Sequence, residues 1–138
     1  MSAHLPTQAK AWIDAHEFAT IATIQPDGQP QLSVVWIAHD GDELLVSTVK
    51  GRRKHLNLER DPRVTVLVYP RNSPYTYVEI RGTATMSEEG GRELIDRLNA
   101  AYTGGERYTG DDGTDNERVV VRITADRPMN PLDDLVGD

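Results

Sequence analysis

The residues best suited to chemistry are concentrated in one short stretch, STVKGRRKHLNLERDP, which runs from Ser47 to Pro62. Six of its positions contain five basic or titratable side chains: Lys50, Arg52, Arg53, Lys54 and His55. The whole chain, by contrast, is acidic, with a formal net charge of -7 at pH 7. Arginine side chains and the free N–H groups of a first helical turn both bind phosphate well. The stretch therefore predicts an anion site, without specifying which anion.

Neighbouring polar residues lie where they can complete this site. Asn57 follows Arg53 and Lys54 by four and three positions, which places the three side chains on one face of a helix. Ser47 and Thr48 provide hydroxyl groups just before the basic run. A solvated surface whose cations pair with nearby carboxylates explains the same pattern. The local sequence leaves both explanations open.

The helix predicted for this stretch makes the cations unfavourable. Helix formers over residues 51–60, followed by Asp61 and Pro62 as a stop, predict a short helix. Its first turn carries the cations, although the helix dipole is positive at that end. A bound anion would offset both the dipole and the mutual repulsion of the cations.

The rest of the chain predicts a small antiparallel barrel. Asp-Gly turns in PDGQ and HDGD separate apolar, β-branched runs, and such turns favour hairpins. Helical spacing predicts one helix over residues 5–17 and a longer one over 87–102, capped by Ser87. Residues 103–116 are polar and glycine-rich, as expected of a loop. The predicted strands are residues 18–25, 30–38, 43–49, 63–70, 75–86 and 117–124. Six such strands must curl to protect their edges, with two or three helices against them.

Composition restricts the class of protein. The 138 residues fit a single domain, 1–138, with the N-terminal helix within 1–17 and a polar tail over 125–138. The absence of cysteine excludes disulfides and thiolate metal sites, and the four histidines lack ligand spacing, so no metal site is expected. The acidic balance argues against nucleic acid. No apolar run of about 20 residues predicts a membrane span, and MSAHLPTQAKAW does not resemble a secretory signal, so a cytoplasmic location is expected.

Three stretches together resemble a known family. They are FATIATIQPDGQPQLSVVWI, LLVSTVKGRRKHLNLERDPRVTVLV and YVEIRGTATM, within residues 10–102, and the strand at 117–124 completes the barrel. The chain resembles the split β-barrel flavin and deazaflavin oxidoreductases related to pyridoxamine 5′-phosphate oxidase, and more narrowly the branch that uses coenzyme F420. The resemblance implies a mainly β (α+β) fold of the FMN-binding split barrel type. It also implies a homodimer whose cofactor lies in a groove between the two chains.

The resemblance assigns the cofactor phosphate to the basic run. Arg52 and Lys54 would hold the phosphate, with Arg53 nearby and Asn57 in support. The F420 coenzyme has a charged tail beyond that phosphate, and the cations available to it are Lys50, Arg53 and Arg71.

The remaining assigned contacts concern the ring and the ribityl chain. Ser47 and Thr48 would contact one or the other. The strand QLSVVW would lie along the ring system, with contacts from Gln31, Ser33, Val34, Val35 and Trp36.

The implied function is hydride transfer from the reduced deazaflavin to an electron-poor small molecule. No acid or base is assigned as catalytic. An FMN-dependent enzyme of the same fold and a non-catalytic flavin-binding or deazaflavin-binding protein are the alternatives, as is a basic surface for an acidic partner. The segment VVVRITADRPMN lacks the Arg-x-His with which pyridoxamine phosphate oxidases hold their substrate phosphate, so vitamin B6 oxidation is disfavoured.

Overall fold

The computed structural model of the protein describes residues 3–126. They form one antiparallel sheet of seven strands in the order β2-β1-β5-β6-β7-β4-β3. Three α-helices accompany it, α1 (Thr7–Asp14), α2 (Arg53–Arg60) and α3 (Gly91–Thr103), with a 3-10 helix at Pro74–Thr76. The strands are β1 (Ala19–Ile24), β2 (Pro30–Val35), β3 (Ala38–Asp40), β4 (Glu43–Val49), β5 (Arg63–Val68), β6 (Val78–Ser87) and β7 (Arg118–Ala125).

The two edge strands of this sheet are consecutive in the chain. β2 ends at Val35 and β3 begins at Ala38, so only Trp36 and Ile37 connect the opposite ends of the strand order. Three Cα steps reach at most about 11 Å. The sheet must therefore curl until its edges face each other, which produces a split barrel; we call the short connection at Trp36 and Ile37 the seam. This geometry confirms the predicted mainly β split barrel with flanking helices.

Alternating side chains of the curled sheet fill its interior. β1 alternates buried and half-buried positions along its whole length, and its Ile21 packs in one cluster with Val66, Ile80 and Ile123 from other strands. Helix α1 adds Ile13 to the same cluster. Burial of these aliphatic side chains supplies the main driving force for closing the barrel.

A second, smaller cluster lies between the sheet and α3. Leu45 and Val120 point from β4 and β7 towards Leu94 and Leu98 of the helix. Both strands are consequently buried on two faces, which explains their continuous apolar runs LLV and VVV. The outer face of the barrel is thus covered on the α3 side.

The structure corrects three predicted elements. The predicted strand 30–38 is interrupted at the seam, so the sheet has seven strands rather than six. Residues 74–76 form a 3-10 turn, and the strand predicted to begin at residue 75 begins at Val78. The third helix begins at Gly91, and the predicted cap Ser87 instead accepts a hydrogen bond from the N–H of Glu89 at 3.1 Å. Gly82, where a bulge or a close backbone approach was expected, makes a close approach to the carbonyl of Thr124. Of the predicted tail, 125–138, Ala125 still belongs to β7, and the part from residue 127 onwards lies outside the described residues.

Candidate functional site

The first turn of α2 is held in place by backbone geometry rather than by a side-chain cap. Gly51 adopts φ +89°, a left-handed conformation that glycine tolerates best, and open space surrounds its α-carbon. The N–H of Gly51 donates to Nδ1 of the buried His55 at 3.0 Å, so His55 carries its proton on Nε2 when neutral. The N–H of Arg52 donates to the carbonyl of Val49 at 3.1 Å. The turn between β4 and α2 is therefore preformed.

Three cations project from this turn without anionic partners. The side chains of Arg52, Arg53 and Lys54 make no hydrogen bond or ion pair to any residue within 3–126. Lys54 is half-buried, and this burial, followed by the positive charge of Arg52, lowers the pKa of its ammonium. A half-buried ammonium without a counter-ion is unfavourable. Lys54 therefore lies where an anionic ligand would compensate its charge, while Arg52 and Arg53 are exposed to solvent.

Lys50, by contrast, is already paired. Its ammonium lies 3.2 Å from Glu88 and 3.4 Å from Glu117, and the hydrogen bonds to these two carboxylates raise its pKa. Arg71, the other cation considered for a charged tail, pairs with Glu17 at 2.7 Å. Of the three tail candidates, Arg53 alone is without a partner among the residues described.

A buried polar network fixes α2 against the barrel. Asn57 is fully buried, and its Nδ2 donates to the hydroxyl of Thr23 at 3.0 Å. The Thr23 hydroxyl in turn donates to Oε1 of Gln31 at 3.4 Å, and Nη2 of Arg60 donates to the side-chain oxygen Oδ1 of Asn57 at 3.3 Å. Asn57 therefore anchors α2 to the barrel. The network also connects this helix to β2, the strand predicted to lie along the ring of the cofactor.

The predicted ring residues of β2 divide between the two faces of the strand. Gln31, Ser33 and Val35 pair with inward-facing residues of β1 and are half-buried. Val34 lies on the opposite face beside Leu32, and these two side chains are 64% and 63% exposed. The Ser33 hydroxyl oxygen is buried and has no hydrogen-bond partner within residues 3–126. A ring lying along one face of the strand would contact only one of these two sets of side chains.

Ser47 and Thr48 also point to opposite faces, because they are adjacent in β4. Thr48 is only 6% exposed. Ser47 faces the α3 side, where its hydroxyl accepts a hydrogen bond from Arg118 at 3.4 Å. Trp36 packs against the cluster on that same side. Within one chain, the structure thus places Ser47 and Trp36 on the outer face and Gln31, Ser33 and Thr48 towards the interior.

The sequence prediction did not identify the group that fixes this outer face. Arg118 makes two hydrogen bonds to Asp111, at 2.7 and 2.9 Å, and both side chains are almost fully buried. Asn116 and Arg92 donate to the same carboxylate. These contacts fix the loop 103–116, which the sequence predicted only as a polar, glycine-rich connection. A detectable signal was the position of Arg118 itself, a charged residue directly before the apolar run VVV.

Two further classes of feature are absent from residues 3–126. None of the helices there combines the length and apolarity that a membrane crossing requires. Histidine, aspartate and glutamate side chains in this part of the chain nowhere gather in a group of three that could hold a metal ion.

Comparisons with known proteins agree with the split-barrel fold. A family model described as pyridoxamine 5′-phosphate oxidase matches residues 5–127. A solved F420 reductase is 26% identical, with a TM-score of 0.75, and the alignment covers 88% of this chain and 95% of that one. A conserved hypothetical protein of Mycobacterium tuberculosis, Rv2991, is 29% identical with a TM-score of 0.71, over 93% and 85% of the two chains. An FMN-binding protein of Nostoc punctiforme related to pyridoxamine 5′-phosphate oxidase is similar in fold alone, at 13% identity, a TM-score of 0.57, and 86% and 76% coverage.

Proposed function

Because the chain belongs to the pyridoxamine 5′-phosphate oxidase family, we propose that it is an oxidoreductase that uses coenzyme F420 to reduce an electron-poor small molecule. The observation that carries the proposal is the set of cations at the preformed first turn of α2, Arg52, Arg53 and Lys54, which have no partner within residues 3–126. A phosphate there would accept hydrogen bonds from Arg52 and Lys54 and neutralise the charge that is unfavourable in the free protein.

The chemistry of the reaction would belong to the cofactor. When bound, the reduced deazaflavin supplies a hydride, and solvent supplies the proton that completes reduction of the substrate. The chain binds and orients: Arg52 and Lys54 hold the phosphate, and Asn57 fixes their helix through Thr23. Ser47 and Trp36 provide a polar contact and an apolar wall near the ring.

Two observations favour F420 over FMN. The solved F420 reductase at 26% identity covers almost the whole chain. Arg53 remains without a partner within residues 3–126 after the phosphate ligands are assigned, and it is available to the charged tail that FMN lacks. FMN is the second candidate, because it also places a phosphate and a ring on the same site. A protein that binds either cofactor without turnover is the third.

We further propose that the protein works as a homodimer with the cofactor between the two chains. Leu32 and Val34 are large apolar side chains exposed on the outer face of the edge strand β2, and an edge strand with an apolar face needs cover. The buried Ser33 hydroxyl lies on the other face of the same strand. The double variant Leu32→Glu, Val34→Glu is expected to sediment as a monomer where the wild-type protein sediments as a dimer. The proposal includes a cytoplasmic location and no nucleic acid or membrane partner.

The first experiment is a fluorescence titration of the purified protein with F420 and, separately, with FMN. The test variant is Arg52→Ala, Lys54→Ala, and the control is Lys10→Ala, Arg63→Ala, which removes the same charge at cations paired elsewhere. Each charge-assisted hydrogen bond contributes about 1.5–3 kcal/mol, so the test variant is expected to lose affinity about 100-fold or more. Equal affinities in the two variants would refute the phosphate site.

Turnover then separates the enzyme from the carrier. Reduced F420 is mixed with quinones, enones and nitro compounds, and its oxidation is followed by absorbance. Oxidation above the rate without protein, reduced in the Arg52→Ala, Lys54→Ala variant, supports the enzyme. Tight binding without oxidation of the cofactor by any member of the panel favours the carrier.

A further inference from the structure

A continuous row of aromatic rings crosses the barrel seam. Tyr108 meets Trp36 edge-on at 6.3 Å between ring centroids, and Trp36 stacks on Tyr102 at 5.6 Å with an interplanar angle of 12°. Tyr102 continues to Phe18 at 5.7 Å. An arginine closes each end: Arg118 lies 4.9 Å from the Tyr108 centroid, and Arg71 lies 4.5 Å from that of Phe18. We call the four rings, Phe18, Tyr102, Trp36 and Tyr108, the aromatic ladder.

Tyr102 of the aromatic ladder fixes the backbone at the seam. The N–H of Ile37 donates to the Tyr102 hydroxyl at 3.2 Å, and this hydroxyl donates to the carbonyl of Glu17 at 2.6 Å. Burial raises the pKa of Tyr102, so the phenol keeps its proton at neutral pH. The backbone next to Trp36 is therefore fixed by α3, and Trp36 has little freedom to rotate between the stacked Tyr102 and the edge-on Tyr108.

Arg118 connects the ladder to the strand that leads to the basic turn. Its guanidinium packs on Tyr108 while Nη1 donates to the Ser47 hydroxyl. Both oxygens of Asp111 accept its remaining donors, at 2.7 and 2.9 Å. Because the Asp111 carboxylate neutralises it and only 9% of its side chain is exposed, Arg118 is unsuited to binding an anionic ligand itself.

We propose that the loop 103–116 is a fixed clamp that holds Trp36 in place, and that Arg118 is a positioning residue for both Trp36 and Ser47. These two side chains then form one preformed edge of a site for a planar redox ring. The identification of the ligand as a planar redox ring rests on the proposed function, whereas the fixed placement of Trp36 does not. The basic turn binds the phosphate of the same cofactor, so the phosphate site and the ring edge contribute separately to the affinity for the cofactor. A preformed ring edge spares the cofactor the cost of ordering these side chains when it binds.

The chain offers a substitution that disturbs the ladder without changing any charge. A Cβ placed on Gly110 would overlap the ring of Tyr108, reaching 2.8 Å from its Cε2. The ring lies between Trp36 and Arg118, so it cannot move away without leaving one of them. Gly110→Ala therefore displaces Tyr108, and Arg118→Lys removes the paired hydrogen bonds to Asp111. The control is Arg107→Lys, which changes the exposed ion pair with Asp112 in the same loop.

All variants are made in a Trp12→Phe background, where Trp36 is the only tryptophan. Acrylamide quenching of Trp36 fluorescence measures its protection, a titration measures F420 affinity, and a thermal shift measures binding of inorganic phosphate. Gly110→Ala and Arg118→Lys are expected to expose Trp36 and to weaken F420 binding about tenfold, the contribution of one well-packed aromatic contact. Phosphate binding should stay unchanged in both, and Arg107→Lys should match the parent protein.

Each alternative result overturns one statement. Unchanged quenching of Trp36 in Gly110→Ala and Arg118→Lys refutes the clamp. Exposed Trp36 with unchanged F420 affinity, or an equal loss of phosphate and F420 binding, refutes the positioning role, because general destabilisation explains the second pattern. If the parent protein binds phosphate but neither F420 nor FMN, the proposed function fails and so does the ring ligand. The quenching result alone then decides whether the loop fixes Trp36.

Discussion

Replacing Asp111 by asparagine is expected to destabilise the protein strongly, although the residue lies in an acid-rich loop. Its carboxylate is 4% exposed and receives hydrogen bonds from Arg118, Arg92 and Asn116. Removing one partner of a buried ion pair typically costs about 3–5 kcal/mol, because the other charge stays buried and uncompensated. Arg92 is 45% exposed, which indicates that water reaches one side of the cluster. We therefore expect a loss in the free energy of unfolding at the lower limit of that range, about 3 kcal/mol.

The adjacent residue provides a matched control. Asp112 pairs with Arg107 at 2.9 Å, but both side chains are more than half exposed, so Asp112→Asn should be indistinguishable from wild type. Urea unfolding followed by circular dichroism gives both free energies by linear extrapolation. Equal effects of the two substitutions would show that the reasoning from burial is wrong. The m-values must agree for the comparison to hold.

The same carboxylate predicts a dependence on pH. The hydrogen bonds from Arg118 hold the pKa of Asp111 well below its ordinary value of 3.8. A depressed pKa in the folded state stabilises the protein above the unfolded-state pKa, and this stabilisation is lost as pH falls towards the folded-state pKa. Wild-type stability should therefore decrease below about pH 4 more steeply than that of Asp111→Asn. Parallel curves for the two proteins would contradict the assigned ion pair.

Three further substitutions test other parts of the structure. Lys54→Met removes an ammonium that is half-buried and has no partner in the described part of the chain, so the cofactor-free protein should gain about 1 kcal/mol in urea unfolding while F420 affinity falls. A loss of stability would show that Lys54 has a partner. His55→Phe keeps an aromatic ring but leaves the N–H of Gly51 without its acceptor, which should cost about 1 kcal/mol; an unchanged free energy would exclude that bond. Gly82→Ala forces a Cβ against the carbonyl of Thr124 and should lower the melting temperature by an amount that corresponds to about 2 kcal/mol, whereas an unchanged melting temperature would mean that β6 and β7 can separate there.

Local signals were sufficient to predict most of the fold. The hairpins around the PDGQ and HDGD turns formed as expected, because turn geometry and strand alternation act over a few residues. The interruption of the predicted strand 30–38 was missed for the opposite reason. Trp36 and Ile37 are good strand formers. They interrupt the strand only because closure of the sheet brings its two edges, β2 and β3, together at these residues.

The candidate site, like the fold, was predictable only where the signal is local in the sequence. The conflict between the helix dipole and the cations can be read from the sequence, and Arg52, Arg53 and Lys54 are indeed without partners in the part of the chain that the structure describes. The pairing of Lys50 with Glu88 and Glu117 depends on contacts across 38 and 67 positions, which local sequence does not encode. Arg118 and Asp111 were overlooked because the charge of each, taken alone, resembles that of a solvated residue.

These contacts also explain how a helix with cations at its N-terminus remains folded without a ligand. Each unfavourable cation there costs about 0.3–1 kcal/mol, and α2 has only eight residues. Buried side chains of the same helix offset this cost through the Asn57 network, the His55 contact to Gly51 and the packing of Leu58. The three cations can therefore keep their charge for a ligand, because none of these stabilising contacts involves them. A site built in this way binds its anion with little rearrangement of the backbone, since the turn that carries the cations is formed before the ligand arrives.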